Sequence, residues 1–194
     1  MPNLKGTRTA ENLMKSFAGE SQARTRYTYY ASQAKKDGYV QISNIFMETA
    51  ENEKEHAKRF FKFLNEDLCC ENVEITADYP VALGDTKLHL RAAAEGENEE
   101  HTKLYPEFAD IAEKEGFDKI AYVFREIAEV EERHERRFRK LLENIEKNQV
   151  FKKDEVVEWK CNNCGYVHTG KSAPERCPAC DHPQAHFEVF METY

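Results

Sequence analysis

The chain has 194 residues, 40% of them hydrophobic, which is enough for one mid-sized domain and a second, small one. Its formal net charge of −8 argues against a nucleic-acid-binding surface as its main function. No run of about 18 apolar residues is present, so the sequence predicts no membrane span. The first residues lack the apolar segment of a signal peptide, so we expect a cytoplasmic location.

Four long helices and a short β-rich tail are the predicted elements. Gly38 and Gly116 each separate two predicted helices, and a polar segment containing Pro80 and Gly84 separates the two pairs. That segment is too long for a hairpin loop and suits a crossover connection. The helices are expected at about 4–36, 40–65, 86–114 and 118–147. Pro106, inside the third helix, is expected to kink it or to force a local bulge.

The pattern of elements predicts a mainly α chain in two domains. Two helical hairpins joined by a crossover bury each other's apolar stripes, which is the topology of a ferritin-like four-helix bundle. We expect this bundle at residues 1–148, a linker at 149–155, and a small metal-binding β domain at 156–194.

Two of the predicted helices carry a glutamate and a histidine in their apolar seam. Glu53 and His56 lie in a stripe whose members are alternately four and three residues apart, which marks one face of a helix. Glu131 and His134 occupy the same phase 78 positions later. A single pair of this kind is consistent with an ordinary ion pair, but its repetition favours a metal site.

The other two helices add three seam carboxylates, Glu20, Glu97 and Glu100. Five carboxylates and two imidazoles in an apolar core repel one another and lose hydration unless cations neutralise them. One glutamate from each of two helices, with Glu-x-x-His from each of the other two, is the di-iron or di-manganese arrangement. Glu100 has no counterpart in the repeat, so it is either a seventh ligand or a carboxylate that orients a histidine. Tyr27 and Tyr105, one to two turns away, either hydrogen-bond to these carboxylates or simply pack.

The tail predicts a second metal site of a different kind. Its four cysteines form two Cys-x-x-Cys pairs, which close a tetrahedral site in zinc and iron proteins alike: Cys161, Cys164, Cys177 and Cys180. The tail is too short to bury an adequate core, so we expect the metal to hold it together. Cys69 and Cys70, in the crossover, are interpreted as incidental thiols, with surface redox chemistry as the alternative.

Taken together, these motifs resemble the rubrerythrin family. The resemblance rests on "FAGESQARTRY", the two Glu-x-x-His helices, "GENEEHTKLYP" and "CNNCGYVH…CPAC", in that order along essentially the whole chain. CxxCGY followed by CPxC is similar to the metal-binding loops of rubredoxin, which favours iron over zinc in the tail. The resemblance implies a non-haem di-iron peroxidase that reduces hydrogen peroxide to water.

The resemblance also implies a role for each bundle ligand. It implies that Glu53 and Glu131 bridge the two irons, whereas Glu20 and Glu97 are terminal ligands. It implies that His134 is a fixed ligand of one iron. Glu100 and His56 are expected to exchange on the other iron as its redox state changes. Electrons are expected to pass through the cysteine site from an external donor such as a rubredoxin or an NAD(P)H-linked reductase. A homodimer is expected, and zinc or manganese is an alternative occupant.

Two other functions compete with peroxide reduction. A ferritin-like ferroxidase or iron-handling protein would use the same bundle site, but it needs no electron-transfer tail. A structural bundle with a zinc-binding tail would be a binding module rather than an enzyme.

Overall fold

Two helical hairpins precede a small sheet in the computed structural model, which describes residues 3–193. The first hairpin is α1 (Arg8–Lys36) and α2 (Val40–Leu68), and the second is α3 (Thr86–Glu99), a π-helix (Glu100–Leu104), α4 (Tyr105–Lys114) and α5 (Asp118–Glu146). Gly38 and Gly116 form the two turns with φ of +85° and +84°, a region that favours glycine. The crossover between the hairpins contains no helix or strand. The predicted ferritin-like bundle is therefore confirmed.

The first helix begins later than the sequence pattern predicted. Gly6 has a φ of +73°, and the Thr7 side chain accepts a hydrogen bond of 3.1 Å from the backbone N–H of Ala10. Thr7 is thus the N-cap, and the predicted start near residue 4 is wrong.

Pro106 produces the expected bulge. Proline has no N–H to donate to the preceding turn, so a regular α-helix cannot run through it without losing a hydrogen bond. The chain widens into the π-helix just before it, where the N–H of Tyr105 donates to the carbonyl of Glu100, five residues earlier. Pro106 then lies in the first turn of α4, a position that it tolerates.

Two aromatic clusters fill the bundle, one on either side of its middle. At one end Phe60 stacks on Phe124 at 5.0 Å, and at the other Phe46 stacks on Phe138 at 5.1 Å. Each belongs to a separate set of buried apolar side chains. The level between them is where the predicted ligands lie. Within the described residues, no helix combines the length and apolar character needed to cross a membrane.

The tail is a three-stranded antiparallel sheet in the order β2–β1–β3. Its strands are β1 (Lys152–Cys161), β2 (Val167–Ser172) and β3 (Phe187–Val189). β1 begins inside the segment expected as a linker, although the domain boundary itself stays a prediction. The buried set here has only five members, Trp159, Cys161, Ala173, Cys177 and Phe187.

Candidate metal centres

Six of the seven predicted bundle ligands meet between the two aromatic clusters. They project from four helices: Glu20 from α1, Glu53 and His56 from α2, Glu97 from α3, and Glu131 and His134 from α5. The four glutamates are each 1% exposed or less. The repeated Glu-x-x-His motif places its two side chains on one helix face, and the hairpin pairing turns these faces toward each other.

Their ligand atoms form two groups of four, and the atoms of each group lie within 4.8 Å of one another. One group is Glu20, Glu53, His56 and Glu131, and the other is Glu53, Glu97, Glu131 and His134. Glu53 and Glu131 belong to both groups, as bridging carboxylates must. The Nδ1 atom of His56 lies 3.0 Å from Glu53 Oε2, and that of His134 lies 2.8 Å from Glu131 Oε2.

Many buried polar atoms of this cluster lack a hydrogen-bond partner within residues 3–193. They are Glu20 Oε2, Glu53 Oε1, Glu97 Oε2, both carboxylate oxygens of Glu131, and His134 Nδ1. Native proteins rarely leave buried polar groups unsatisfied, and an unpaired buried carboxylate costs about several kcal/mol. A pair of cations would satisfy these atoms. The donor set of carboxylate oxygens and imidazole nitrogens therefore fits a di-iron site.

The metal-free carboxylates hold protons more tightly than usual. Burial raises the pKa of Glu20 well above its ordinary value, and the charges of Glu53 and Glu131 raise it further. Burial and the charge of Glu53 likewise raise the pKa of Glu97, and burial and the charge of Glu97 raise that of Glu100. Such crowding favours binding of a cation, which removes the repulsion and displaces the protons.

The two histidines are shifted by the same carboxylates. Burial alone lowers the pKa of His56, but the adjacent carboxylates of Glu131 and Glu53 outweigh it and raise the pKa to about 10. Burial likewise lowers the pKa of His134, but the adjacent carboxylates, first of all that of Glu131, outweigh it and raise the pKa to about 12. Both imidazoles are thus protonated at neutral pH when no metal is bound, so metal binding must release their protons.

Two buried tyrosines hydrogen-bond to Glu97 and Glu20, the predicted terminal ligands. Tyr27 on α1 donates a hydrogen bond of 2.5 Å from its hydroxyl to Glu97 Oε1 on α3. The hydroxyl of Tyr105 on α4 donates a hydrogen bond to Glu20 Oε1 on α1, so this bond runs from the second hairpin to the first. Both phenols therefore hydrogen-bond to predicted ligands, and their role at the metal site stays a prediction. The crossed pattern relates the two hairpins by approximate twofold symmetry.

A one-residue insertion breaks that symmetry at Glu100. Glu97 follows Glu20 by 77 positions, but Tyr105 follows Tyr27 by 78. The extra residue is absorbed by the π-helix, which Glu100 opens. Glu100 is partly buried and falls outside both groups of ligand atoms, so its predicted role in exchange stays a prediction.

A polar cluster that sequence reasoning missed lies just outside the ligands. Glu135 accepts a hydrogen bond from Asn98 and lies 2.6 Å from the Nε2 atom of His101. Glu135, Asn98 and His101 each directly follow a predicted ligand in the chain. Their contacts connect α5 to α3 and to the π-helix. The sequence shows only that these residues are adjacent to predicted ligands. Helical periodicity does not show which residues of two different helices face each other.

The four tail cysteines converge as predicted. Cys161 Sγ lies 3.8 Å from Cys180 Sγ, and Cys164 Sγ lies 3.5 Å from Cys177 Sγ. A tetrahedron with metal–sulfur bonds of about 2.3 Å has sulfur–sulfur edges of about 3.8 Å, so the set fits a single iron. By contrast, Cys69 and Cys70 are exposed free thiols whose sulfur atoms lie 3.5 Å apart, within hydrogen-bonding distance of each other.

Both cysteine pairs lie in similar tight loops. The N–H of Gly165 donates to the carbonyl of Cys161 at 2.9 Å, and the N–H of Asp181 donates to that of Cys177 at 2.8 Å. Gly165 and Asp181 have φ of +81° and +58°, so each loop turns through the left-handed region. These turns bring both cysteines of a pair to one side.

Comparison with known proteins agrees with both centres. The family model described as Rubrerythrin matches residues 11–142, and the one described as Rubrerythrin, rubredoxin-like domain matches residues 159–188. Rubrerythrin of Clostridium perfringens is 66% identical over 195 residues, covering 100% of both chains. Rubrerythrin of Nitratidesulfovibrio vulgaris is 54% identical over 190 residues, covering 97% of both.

Similarity to a solved structure extends over the same length. A structure of nigerythrin in a fully reduced, all-ferrous state has a TM-score of 0.64 and 29% identity to this chain. It covers 97% of this chain and 92% of its own. With two family models and full-length relatives in agreement, the chain belongs to the rubrerythrin family.

Proposed function

We propose that the protein reduces hydrogen peroxide to water with electrons from an external donor. The observation that carries the proposal is the presence, in one chain, of two metal-ligand sets with different chemistry. The bundle offers carboxylates and imidazoles, and the tail offers four thiolates. When bound, a pair of irons supplies both Lewis acidity and the two electrons that cleavage of an O–O bond requires.

The ligand roles belong to the same proposal. Glu53 and Glu131 would be shared by the two metals, because each belongs to both groups of ligand atoms. Glu20 and Glu97 would be terminal ligands, held in place by the phenols of Tyr105 and Tyr27. His134 would complete the group that contains Glu97, and either His56 or Glu100 would complete the other.

The surrounding side chains control access and protons. Aromatic clusters on both sides keep water away from the ligands, which limits side reactions. The side chain of His56 is 14% exposed whereas that of His134 is 5% exposed, so the first group lies nearer the surface. In the metal-free site the carboxylates of Glu131 and Glu53 raise the pKa of His56 to about 10, so its imidazole can carry a proton at neutral pH.

The donor and the assembly are also proposed. A rubredoxin or an NAD(P)H-linked reductase passes single electrons to the tail, and two such transfers recharge the bundle. A homodimer and a cytoplasmic location complete the proposal. Analytical ultracentrifugation of the purified protein and fractionation of the source cells test these two points.

Peroxide consumption under anaerobic conditions tests the function. The iron-loaded protein is given a reduced donor and hydrogen peroxide, and the donor oxidised per peroxide consumed is counted. Two electrons per peroxide, with iron retained, is the expected result. The competing function, iron oxidation and storage, predicts instead that added ferrous iron accumulates as a mineral core, and that outcome would overturn peroxide reduction as the function.

A further inference from the structure

A cavity of about 700 Å³ lies on the bundle face between α1 and α3. The crossover forms its outer wall through residues 76–82. Two tyrosines hold that wall: Tyr79 donates from its hydroxyl to the carbonyl of Lys15 at 2.9 Å, and Tyr30 donates to that of Ala82 at 3.0 Å. The long crossover therefore has a function beyond connection, because it forms one wall of a space on the bundle face.

One end of the cavity approaches the candidate di-iron site. Glu100 and Tyr105 line it there. The Tyr105 hydroxyl is hydrogen-bonded to Glu20, so one side chain separates the cavity from a terminal carboxylate. A molecule in the cavity thus has one end against Glu100 and Tyr105, one side chain away from Glu20, and its other end under the crossover.

Small residues on the facing helices keep the cavity open. Gly19 on α1 and Ala92 and Gly96 on α3 line it. A Cβ added at Gly96 would meet no neighbouring heavy atom within 4 Å, and one added at Gly19 would make ordinary contact with Tyr79 at 3.6 Å. Glycine inside a helix costs about 1 kcal/mol relative to alanine. Neither close packing nor a left-handed φ requires glycine at these two positions. The absence of a side chain at Gly19 and Gly96 therefore leaves space in the cavity.

The cavity is much larger than hydrogen peroxide requires. Water occupies about 30 Å³ in the liquid, and pockets of about 300–1,000 Å³ hold small organic ligands. Leu104 and Phe108 give the cavity an apolar side next to Tyr105, and charged side chains line much of the rest, among them Arg26, Arg91 and Glu95. Its size and this apolar side suit a molecule whose apolar substituent lies against Leu104 and Phe108.

We propose that the site also reduces organic hydroperoxides, whose apolar substituent occupies this cavity. The inference rests on the proposed peroxide reduction and extends its substrate class. The hydroperoxide group lies at the end formed by Glu100 and Tyr105. Its O–O bond breaks as two electrons from the external donor and two protons are taken up, and one alcohol and one water are released.

Gly96→Leu fills the cavity and Gly96→Ala is its matched control. The iron-loaded protein is assayed with cumene hydroperoxide and with hydrogen peroxide, and the ratio of the two kcat/KM values is compared among variants. Leucine should lower the ratio of cumene hydroperoxide to hydrogen peroxide by about tenfold or more, since misfit of a few methylenes costs that much. Alanine should leave the ratio unchanged. Ala92→Phe, which fills the cavity from the same helix, should repeat the effect of leucine.

A binding measurement separates the cavity from catalysis. Calorimetric titration with 2-phenyl-2-propanol, the alcohol product, should show binding to the iron-loaded protein and to Gly96→Ala, and weaker binding to Gly96→Leu. Absence of binding, or an unchanged ratio in both filled variants, would overturn the inference. Reduction of hydrogen peroxide without reduction of cumene hydroperoxide would overturn it and leave the proposed function intact. Failure to reduce either peroxide would overturn both.

Discussion

The bundle and the tail hold metal ligands in opposite ways. In the bundle, long helices with an aromatic core at each end force charged groups together at the level between them. In the tail, five buried residues make up the core, and two of them, Cys161 and Cys177, are themselves candidate ligands. The packing of the helices therefore positions the metal ligands in the bundle, whereas we expect the small tail to need bound metal to keep its fold.

The largest expected effect is in the tail. Cys161→Ala leaves three thiolates, and structural metal sites contribute about 10–16 kcal/mol to small domains. We expect loss of iron–thiolate absorption and of amide protection in the tail by hydrogen exchange, and slow turnover with the external donor. The helices and the bundle iron should remain. Cys69→Ala, at an exposed site away from the cluster, is the control. Loss of the bundle iron in Cys161→Ala would show that the two regions are not independent.

The next largest effect is expected in the bundle, where Glu131→Ala and Glu53→Ala each remove a carboxylate shared by both groups of ligand atoms. Iron affinity there should fall by more than about 100-fold, since loss of an outer hydrogen-bond partner alone costs 10–100-fold. The tail iron and its colour should be unchanged. Metal analysis and visible absorption measure the two sites separately. Glu129→Ala, an exposed position on α5, should change neither, and a shared carboxylate variant that keeps both irons would refute the assignment.

A smaller effect is expected from the phenols, which touch ligands rather than metal. Tyr27→Phe and Tyr105→Phe each remove one hydrogen bond to a terminal carboxylate and keep the ring in the core. Each should weaken iron binding or slow peroxide turnover by about 10–100-fold. Iron titration and steady-state kinetics measure the effect, with exposed Tyr122→Phe as the control. Equal wild-type behaviour in both variants would show that these phenols only pack.

A pH dependence is also expected, confined to the metal-free bundle. The raised pKa values of His56 and His134 stabilise the folded state fully below the unfolded value near 6.5, and this contribution is lost as pH rises through about 10 and about 12. Burial also raises the pKa of Glu20, which likewise destabilises the fold as pH rises.

Chelated protein should therefore unfold at lower urea concentrations as pH rises from 6.5 to about 10. The iron-loaded bundle should respond less, because its ligands no longer carry these protons. Circular dichroism of the helices follows both samples. A midpoint for the chelated protein that stays flat or increases with pH would contradict the charge distribution described for the site.

The helical signals are strong enough to predict most of the fold. Glycine turns, a seam of period 3.6 and a repeat at 78 positions identify four helices and their pairing, because each is a local or repeating pattern. Pro106 predicts a bulge but not its form. The start of α1 at Arg8 was missed, because apolar periodicity does not show where a cap such as Thr7 stops the helix.

The spatial relations of the side chains are harder to predict. Phase along a helix places Glu20 and Glu97 in the core, but their crossed bonds to Tyr105 and Tyr27 depend on how the hairpins dock. The contact of Glu135 with His101 depends on the same docking. No periodicity in a chain encodes the distance between two helices that are far apart in sequence.

Residue type and spacing by themselves determined which side chains are candidate metal ligands, since charged groups repeated in an apolar seam and paired cysteines favour binding of a cation. The docking of the two hairpins decided which carboxylates face both ligand groups and where Glu100 stands. It also decided that the crossover forms one wall of a cavity near them. Such outcomes arise from packing between distant segments, whose geometry is set only when all of them are in place.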